Sequence, residues 1–286
     1  MKSSKMTLTL VATLIIILTA FVGASAQGRL AAPSTPTIIA PPNIQELAPY
    51  VGQYHNLPIA NDRNPYEWVG QYHNAALDYI GKAASSPASA ARIIGPFPGG
   101  SPGPTIPCWP DGDIIWRINM ALFKPYAPQD VSEAIDQRRS LFIVDKSAPN
   151  ARHQVSYEWD KVRFTDRDNT DFSEFNFQLT GLTMALGSGR LAYNEYQHRV
   201  VELENTVLGS RTVSETVKTQ ILLTTTVARH SAWYHVEGPA AAKHKCPTCV
   251  SSDVAGAGAG AAVGGIWGAV IGAVAMSALD YFTQSN

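Results

Sequence analysis

The segment from residue 254 to residue 279 constrains the fold of this chain more than any other part of the sequence. It contains no formal charge and is bounded by Asp253 and Asp280. Glycine recurs there at every fourth position, at Gly256, Gly260, Gly264, Gly268 and Gly272. Small residues at this spacing lie on one face of a helix and let a second helix approach closely. The pattern is a glycine zipper, and it predicts close helix packing.

The zipper is compatible with several environments. Glycine costs about 1 kcal/mol relative to alanine within a helix, so the segment needs a partner helix, a bilayer or both. It is long enough to span a membrane, which takes about 20 apolar residues, and Trp267 is its one aromatic residue. A flexible Gly/Ala tail, or a helical hairpin that breaks at Gly264–Gly265 and packs on a soluble domain, are the alternatives. The strict spacing favours membrane association or self-association through the zipper.

The N-terminal segment predicts export. Lys2 and Lys5 precede an apolar run, and Ala24, Ser25 and Ala26 form a small-residue cleavage site. Residues 1–26 are therefore predicted to be a secretory signal peptide, with an uncleaved anchor as the alternative. The chain is expected to be secreted or in the cell envelope. Its formal net charge of −1 leaves no basic excess to neutralise phosphates, which argues against nucleic-acid binding.

Residues 27–111 are rich in proline and glycine and contain a duplicated motif. The sequence Val-Gly-Gln-Tyr-His-Asn occupies positions 51–56 and again positions 69–74. The second copy falls in a helix predicted near 65–82, with Asn64 as the N-cap and Glu67 completing a capping box. The repeated positions singled out here are Gly52, His55, Asn56, Gly70, His73 and Asn74.

The two repeated histidines raise the question of a metal site. No acidic or cysteine residue repeats with His55 and His73, which favours a packing or capping role over a shared metal. The sequence also lacks a nucleophile elbow, a P-loop and a dinucleotide fingerprint. We therefore predict no catalytic residue, no metal and no cofactor, and a protein that is not an enzyme.

Residues 112–238 are predicted to form a mainly α domain. Apolar residues spaced by three and four run from Phe172 to Val207, which is the spacing of a coiled-coil seam. A matching stripe follows from Val217 to His235 after a short turn. The two stripes predict a long antiparallel helical hairpin, with oligomerisation through the seam as the alternative.

A second element is predicted within this domain. The apolar residues at 141–144 and the alternation at 155–159 indicate a short β-hairpin near 141–164, with helix as the alternative.

Residues 239–253 are predicted to be a linker, which contains Cys246-Pro-Thr-Cys249. The chain has three cysteines, Cys108, Cys246 and Cys249. In an oxidising compartment they predict a structural disulfide between two of the three. The CxxC spacing is also that of a redox motif, and a zinc site would need further ligands such as His244.

Three stretches resemble a known group of proteins. They are Asn-Pro-Tyr-Glu-Trp-Val-Gly-Gln-Tyr-His-Asn at 64–74 leading into Leu-Asp-Tyr-Ile at 77–80, Val-Ala-Arg-His-Ser-Ala-Trp-Tyr at 227–234, and the Gly/Ala-rich tail. The chain resembles uncharacterised secreted proteins of Bacteroidota that carry an Asn-Pro-Tyr…Val-Gly-x-x-His-Asn…Leu-Asp-Tyr element, a helix ending near Ala-Arg-x-Ser-x-x-Tyr and often a glycine-rich end. The resemblance implies export and this order of elements, and it implies no catalytic residues.

Three functions remain open at this point. The first is an exported, non-enzymatic, membrane-associating protein, in the extreme a pore-former or toxin, and the uncharged zipper favours it. The second is a soluble secreted or envelope interaction protein whose zipper packs within the fold. The third is a thiol-redox or metal-dependent enzyme that uses Cys246, Cys249 and His244. No feature of the sequence identifies a protein partner.

Overall fold

A computed structural model describes residues 40–55, 57–84, 87–95, 112–139, 166–238, 241 and 245–284. These residues are mainly helical and include no strand, which confirms the prediction of a mainly α fold. The predicted signal peptide, Asn56, Cys108 and the β-hairpin predicted near 141–164 lie outside the described residues.

The described helices are numbered α1 to α9 in chain order. They are α1 (Ala48–Val51), α2 (Glu67–Ala83), α3 (Pro87–Ile94), α4 (Gly112–Phe123), α5 (Gln129–Gln137), α6 (Asp166–Gly187), α7 (Tyr193–Gly209), α8 (Glu215–Ala232) and α9 (Cys249–Gln284). Short 3-10 turns at Gln45–Leu47 and Gly52–Tyr54 flank α1, and a π-helical turn at Trp233–Glu237 extends α8.

Helix α9 is broken in the middle and folds back on itself. Gly264 and Gly265 leave helical geometry, with φ of −142° and +55° respectively. Residues 249–263 and 266–284 therefore form two antiparallel arms, which we call the zipper hairpin. Every residue from 268 to 279 is buried. A helix that is apolar and buried on all sides is a central core helix, and the second arm has this position.

Helices α2, α4, α5, α6 and α8 pack against the zipper hairpin. Its second arm shares a hydrophobic core with α2 and α4, to which Val69, Ile80 and Ile118 contribute fully buried side chains. A second core joins α6, α7 and α8 with the start of the first arm, where Val250 and Val254 are buried. The zipper hairpin thus connects both cores.

The predicted seam from Phe172 to Val207 is not one helix. Helix α6 ends at Gly187 and α7 begins at Tyr193, and Gly189 between them has φ of +69°. Glycine adopts positive φ without the steric penalty that other residues meet, so it ends the helix here. Helices α7 and α8 then form a shorter hairpin than the seam predicts.

Two helix starts also differ from the predictions. The predicted capping box at Asn64 and Glu67 forms only in part: Asn64 Oδ1 accepts from the amide of Tyr66 at 3.0 Å, α2 begins at Glu67, and the Glu67 carboxylate pairs with Arg229 of α8. The linker predicted at 239–253 ends early, because α9 begins at Cys249.

Candidate functional site

The zipper glycines face each other across the two arms. A methyl group on Gly260 would overlap the carbonyl oxygen of Gly268, and one on Gly256 would overlap the carbonyl oxygen of Gly272. A methyl group on Gly264 would meet Val131 and Ile135 of α5 instead. The zipper faces that the spacing predicts are therefore filled within this chain.

Trp267 lies next to the turn of the zipper hairpin. It is partly buried, and its ring lies 6.5 Å from that of Phe123 at the end of α4. Trp267, which the sequence predicts to be a packing residue, thus packs the turn of the zipper hairpin against α4.

Cys246 and Cys249 form a disulfide at the start of the first arm. Both residues are buried, with 1% and 0% exposure. The bond lies where the chain enters α9, and the amide of Cys246 donates to the carbonyl oxygen of His235. The disulfide therefore closes the turn that leads into the first arm, and the hydrogen bond from the Cys246 amide joins this turn to the π-helical turn after α8.

A cluster of buried charges joins α2, α7 and α8, which we call the Arg229 cluster. The Arg229 guanidinium, fully buried, pairs with Glu67 at 2.5 Å and with Glu204 at 3.1 Å. Asn61 and Asn64 donate to Glu204 at 2.7 and 2.9 Å. A buried carboxylate is tolerated only when it is paired and hydrogen-bonded, and Glu204 meets both conditions.

Glu67 is the member of this cluster nearest to solvent. His230 Nε2 lies 2.7 Å from its carboxylate, which also pairs with Arg229. Burial by itself raises the pKa of Glu67, but the charges of Arg229 and His230 outweigh it and lower the pKa to about 2. Burial alone lowers the pKa of Arg229, and the two carboxylates raise it above its usual value. Glu67 and Arg229 are therefore both ionised over the physiological pH range.

A second buried cluster surrounds Asp253 on the first arm, and we call it the Asp253 cluster. Asp253 Oδ2 accepts a 2.5 Å hydrogen bond from Ser231, and it lies 3.4 Å from His73 Nε2 and 3.3 Å from His235 Nε2. The same nitrogen of His235 lies 3.2 Å from the hydroxyl of Ser277 on the second arm. All five residues are 0% exposed.

His73 is the imidazole most affected by this environment. Its Nδ1 lies 2.9 Å from Asn74 Oδ1, and Asp253 is its nearest charged neighbour. Desolvation lowers the pKa of His73 below its usual value and outweighs the opposing effect of Asp253.

The two copies of the duplicated motif occupy different environments. In the second copy Gly70 contacts α8 so closely that a methyl group would overlap the imidazole of His230, and Asn74 donates to the His230 carbonyl oxygen at 3.0 Å. In the first copy Gly52 has open space around it and His55 is exposed. The identical sequences thus have unequal roles.

The first copy contributes through Tyr54 instead. Tyr54 and Tyr234 both donate to the carboxylate of Asp78 on α2, the latter at 2.9 Å. Burial, together with the neighbouring carboxylate, raises the pKa of Tyr54 well above its usual range. This trio joins the 3-10 turn after α1, helix α2 and the π-helical turn.

A surface groove of about 490 Å³ lies between α3, α4 and α5, and no member of the two clusters lines it. Among the described residues, no group of His, Cys, Asp or Glu has an arrangement that could hold a metal ion. No protein-family model, curated protein or solved structure matches the chain.

Sequence reasoning missed most of the residues that meet here. Glu204, Arg229, Asp253 and Ser277 carried no prediction as site residues. A charged Arg229 inside an otherwise apolar helix was the available signal, because such a residue is almost never buried without a partner. Nothing in the sequence indicated that Glu67 and Glu204 are those partners.

Proposed function

We propose that the protein is an exported, non-enzymatic interaction module that is water-soluble when folded, with the zipper hairpin as its interior. The observation that carries this proposal is the mutual contact of Gly256 with Gly272 and of Gly260 with Gly268. A zipper that is filled within one chain leaves no glycine face for a second chain.

The length of the arms supports the same proposal. The 32 residues from Cys249 to Asp280 are long and apolar enough to cross a membrane by composition, and an 18-residue window within them has a mean hydropathy of 1.8. Because the helix breaks at Gly264–Gly265, each arm is shorter than the roughly 20 residues that span a bilayer. In addition, 67% of the apolar window is buried inside the fold.

We propose that the protein is not an enzyme because a substrate could not reach its buried polar clusters. The acids, bases and hydroxyls of the two buried clusters have one another as partners. A catalytic group must reach a substrate atom within hydrogen-bond distance. The buried clusters instead connect the helices, which is the role of a scaffold that presents an outer surface to a partner.

Cell fractionation and a zipper substitution test the proposal. We expect the chain to begin at Gln27 after export, to remain in the soluble fraction without detergent, and to be released by carbonate wash if it sediments. Gly260→Leu should reduce the yield of folded soluble protein severely, whereas Gly181→Leu, at an open position of α6, should not. Carbonate-resistant membrane association of the folded wild-type chain would contradict the proposal.

Membrane association through the zipper hairpin is the second candidate function. The uncharged sequence from 254 to 279 supports it, since a hairpin released from the helices around it would expose an apolar surface. Purified protein added to anionic lipid vesicles, with dye release as the readout, tests this candidate. Dye release that Gly260→Leu changes and Gly181→Leu does not would favour it, and intact vesicles under all conditions would remove it.

A further inference from the structure

The Asp253 cluster connects the zipper hairpin to the rest of the domain at one point. Asp253 is on the first arm and Ser277 is on the second arm, while His73 belongs to α2 and His235 to the π-helical turn. The distances that join them are 3.2 to 3.4 Å. Two imidazoles from two elements therefore meet both arms of the zipper hairpin around one carboxylate.

The charges of the two buried clusters do not balance at every pH. Their carboxylates are Glu67, Glu204 and Asp253, and opposite them are Arg229 and three histidines. The set is neutral when two of the three histidines are protonated. A third proton adds a buried positive charge for which no carboxylate of the set remains, and such a charge costs several kcal/mol.

Among the three histidines, His73 is the one whose protonation burial disfavours. The titratable groups that act on it are Asp253, His235 and His230, and Tyr234 packs edge-on against His235. Because desolvation lowers the pKa of folded His73 below that of an unfolded histidine, the open form binds more protons as the pH falls below about 6.5. Stability is therefore full above that pH and is lost as the pH falls through it.

We propose that the Asp253 cluster is an acid-sensitive clamp, which holds the zipper hairpin against α2 and α8 near neutral pH and loosens it in mild acid. This inference rests on the fold alone and not on membrane association. The clamp acts at a higher pH than Glu67, whose carboxylate is protonated only near pH 2. Loosening between pH 7 and pH 5 is therefore distinct from general acid unfolding.

Hydrogen–deuterium exchange of the wild-type chain at pH 7 and pH 5 tests the clamp directly. After correction for the intrinsic pH dependence of exchange, we expect amides of residues 249–284 to exchange several-fold faster at pH 5. Amides in the middle of α7 should change much less. Exchange that is equally protected at both pH values, or that rises uniformly along the chain, would overturn the proposal.

Substitution of the histidines provides the matched comparison. His73→Gln should remove most of the acid-induced increase in exchange, because glutamine retains a polar side chain but does not titrate. His198→Gln is the control, since His198 is exposed on α7 beside Glu202, and it should respond as the wild type does. If His73→Gln does not fold, His235→Gln is measured in its place.

The acid response of these variants decides whether the Asp253 cluster is the clamp. A wild-type acid response in a folded His73→Gln or His235→Gln protein would contradict the clamp. Vesicles added in a separate experiment report only on the second candidate function. Faster exchange at pH 5 without vesicle binding would support the clamp and leave the released hairpin without a role in membranes.

Discussion

Gly70 shows how a single atom fixes the distance between two helices. Its backbone lies against the imidazole of His230. A methyl group added at Gly70 would lie 2.7 Å from the carbonyl oxygen of Thr226. Gly52, at the same place in the first copy of the motif, has nothing within 4 Å. Gly70 and Gly52 therefore allow a tightly packed and an open glycine to be compared within the same sequence motif.

We expect Gly70→Ala to lower the free energy of unfolding by about 1–3 kcal/mol, the usual cost of overpacking a core. Gly52→Ala should change it by less than about 0.5 kcal/mol, as is usual for open positions. Urea denaturation of both variants measures the difference. Equal effects would mean that α2 and α8 are not in close contact at Gly70.

Arg229 is a second residue whose loss should be large. Arg229→Met leaves Glu204 buried beside its two asparagine donors without a cation, and we expect a loss of about 3–5 kcal/mol. Arg199→Met removes an exposed pair with Glu195 and should cost less than about 1 kcal/mol. Thermal or urea unfolding checks both, and similar losses would argue against burial of the Arg229 cluster.

At the scale of single residues, the sequence predicted less than at the scale of elements. Two identical hexapeptides give an exposed His55 and a buried His73, because burial depends on what packs against them from distant parts of the chain. Asp253, which faces His73, and Glu67, which pairs with Arg229, each lie more than 100 positions from that partner in sequence. Local spacing contains no information about them.

The elements were more predictable, because hydrophobic periodicity and glycine positions are local. The helix expected near 65–82 is found at Glu67–Ala83, and helix α8 covers most of the second stripe. The seam is interrupted at Gly189, where one positive φ outweighs an unbroken apolar pattern. The zipper hairpin was one of three interpretations, and spacing alone did not choose among them.

The turn of the zipper hairpin makes a prediction about this element. Gly265 has φ of +55° and ψ of −132°, a conformation that side-chain-bearing residues rarely adopt, although no atom lies within 4 Å of an added methyl. Gly265→Ala should therefore cost about 1–3 kcal/mol through the backbone alone. Gly181→Ala, inside helix α6, should instead gain up to about 1 kcal/mol. Urea midpoints test this, and an unaffected Gly265→Ala would mean that the two arms do not turn there.

At the scale of the whole molecule, stability should fall in strong acid for a reason separate from the clamp. The pKa of Glu67 is about 2 in the folded chain and its usual value is 4.5, so its stabilising charge is present above pH 4.5 and is lost as the pH falls toward 2. The loss should be about 3 kcal/mol at most. Glu67→Gln should flatten the stability profile between pH 4.5 and 2, and an unchanged slope would show that other carboxylates cause it.

The central position of the second arm has a consequence for biogenesis. Residues 268–279 lie near the C-terminal end of the chain, yet α2, α4 and α8 depend on them for their core. A ribosome therefore releases α2, α4 and α8 before the segment that unites them, and we expect the nascent chain to lack a complete core until residues 268–279 have emerged.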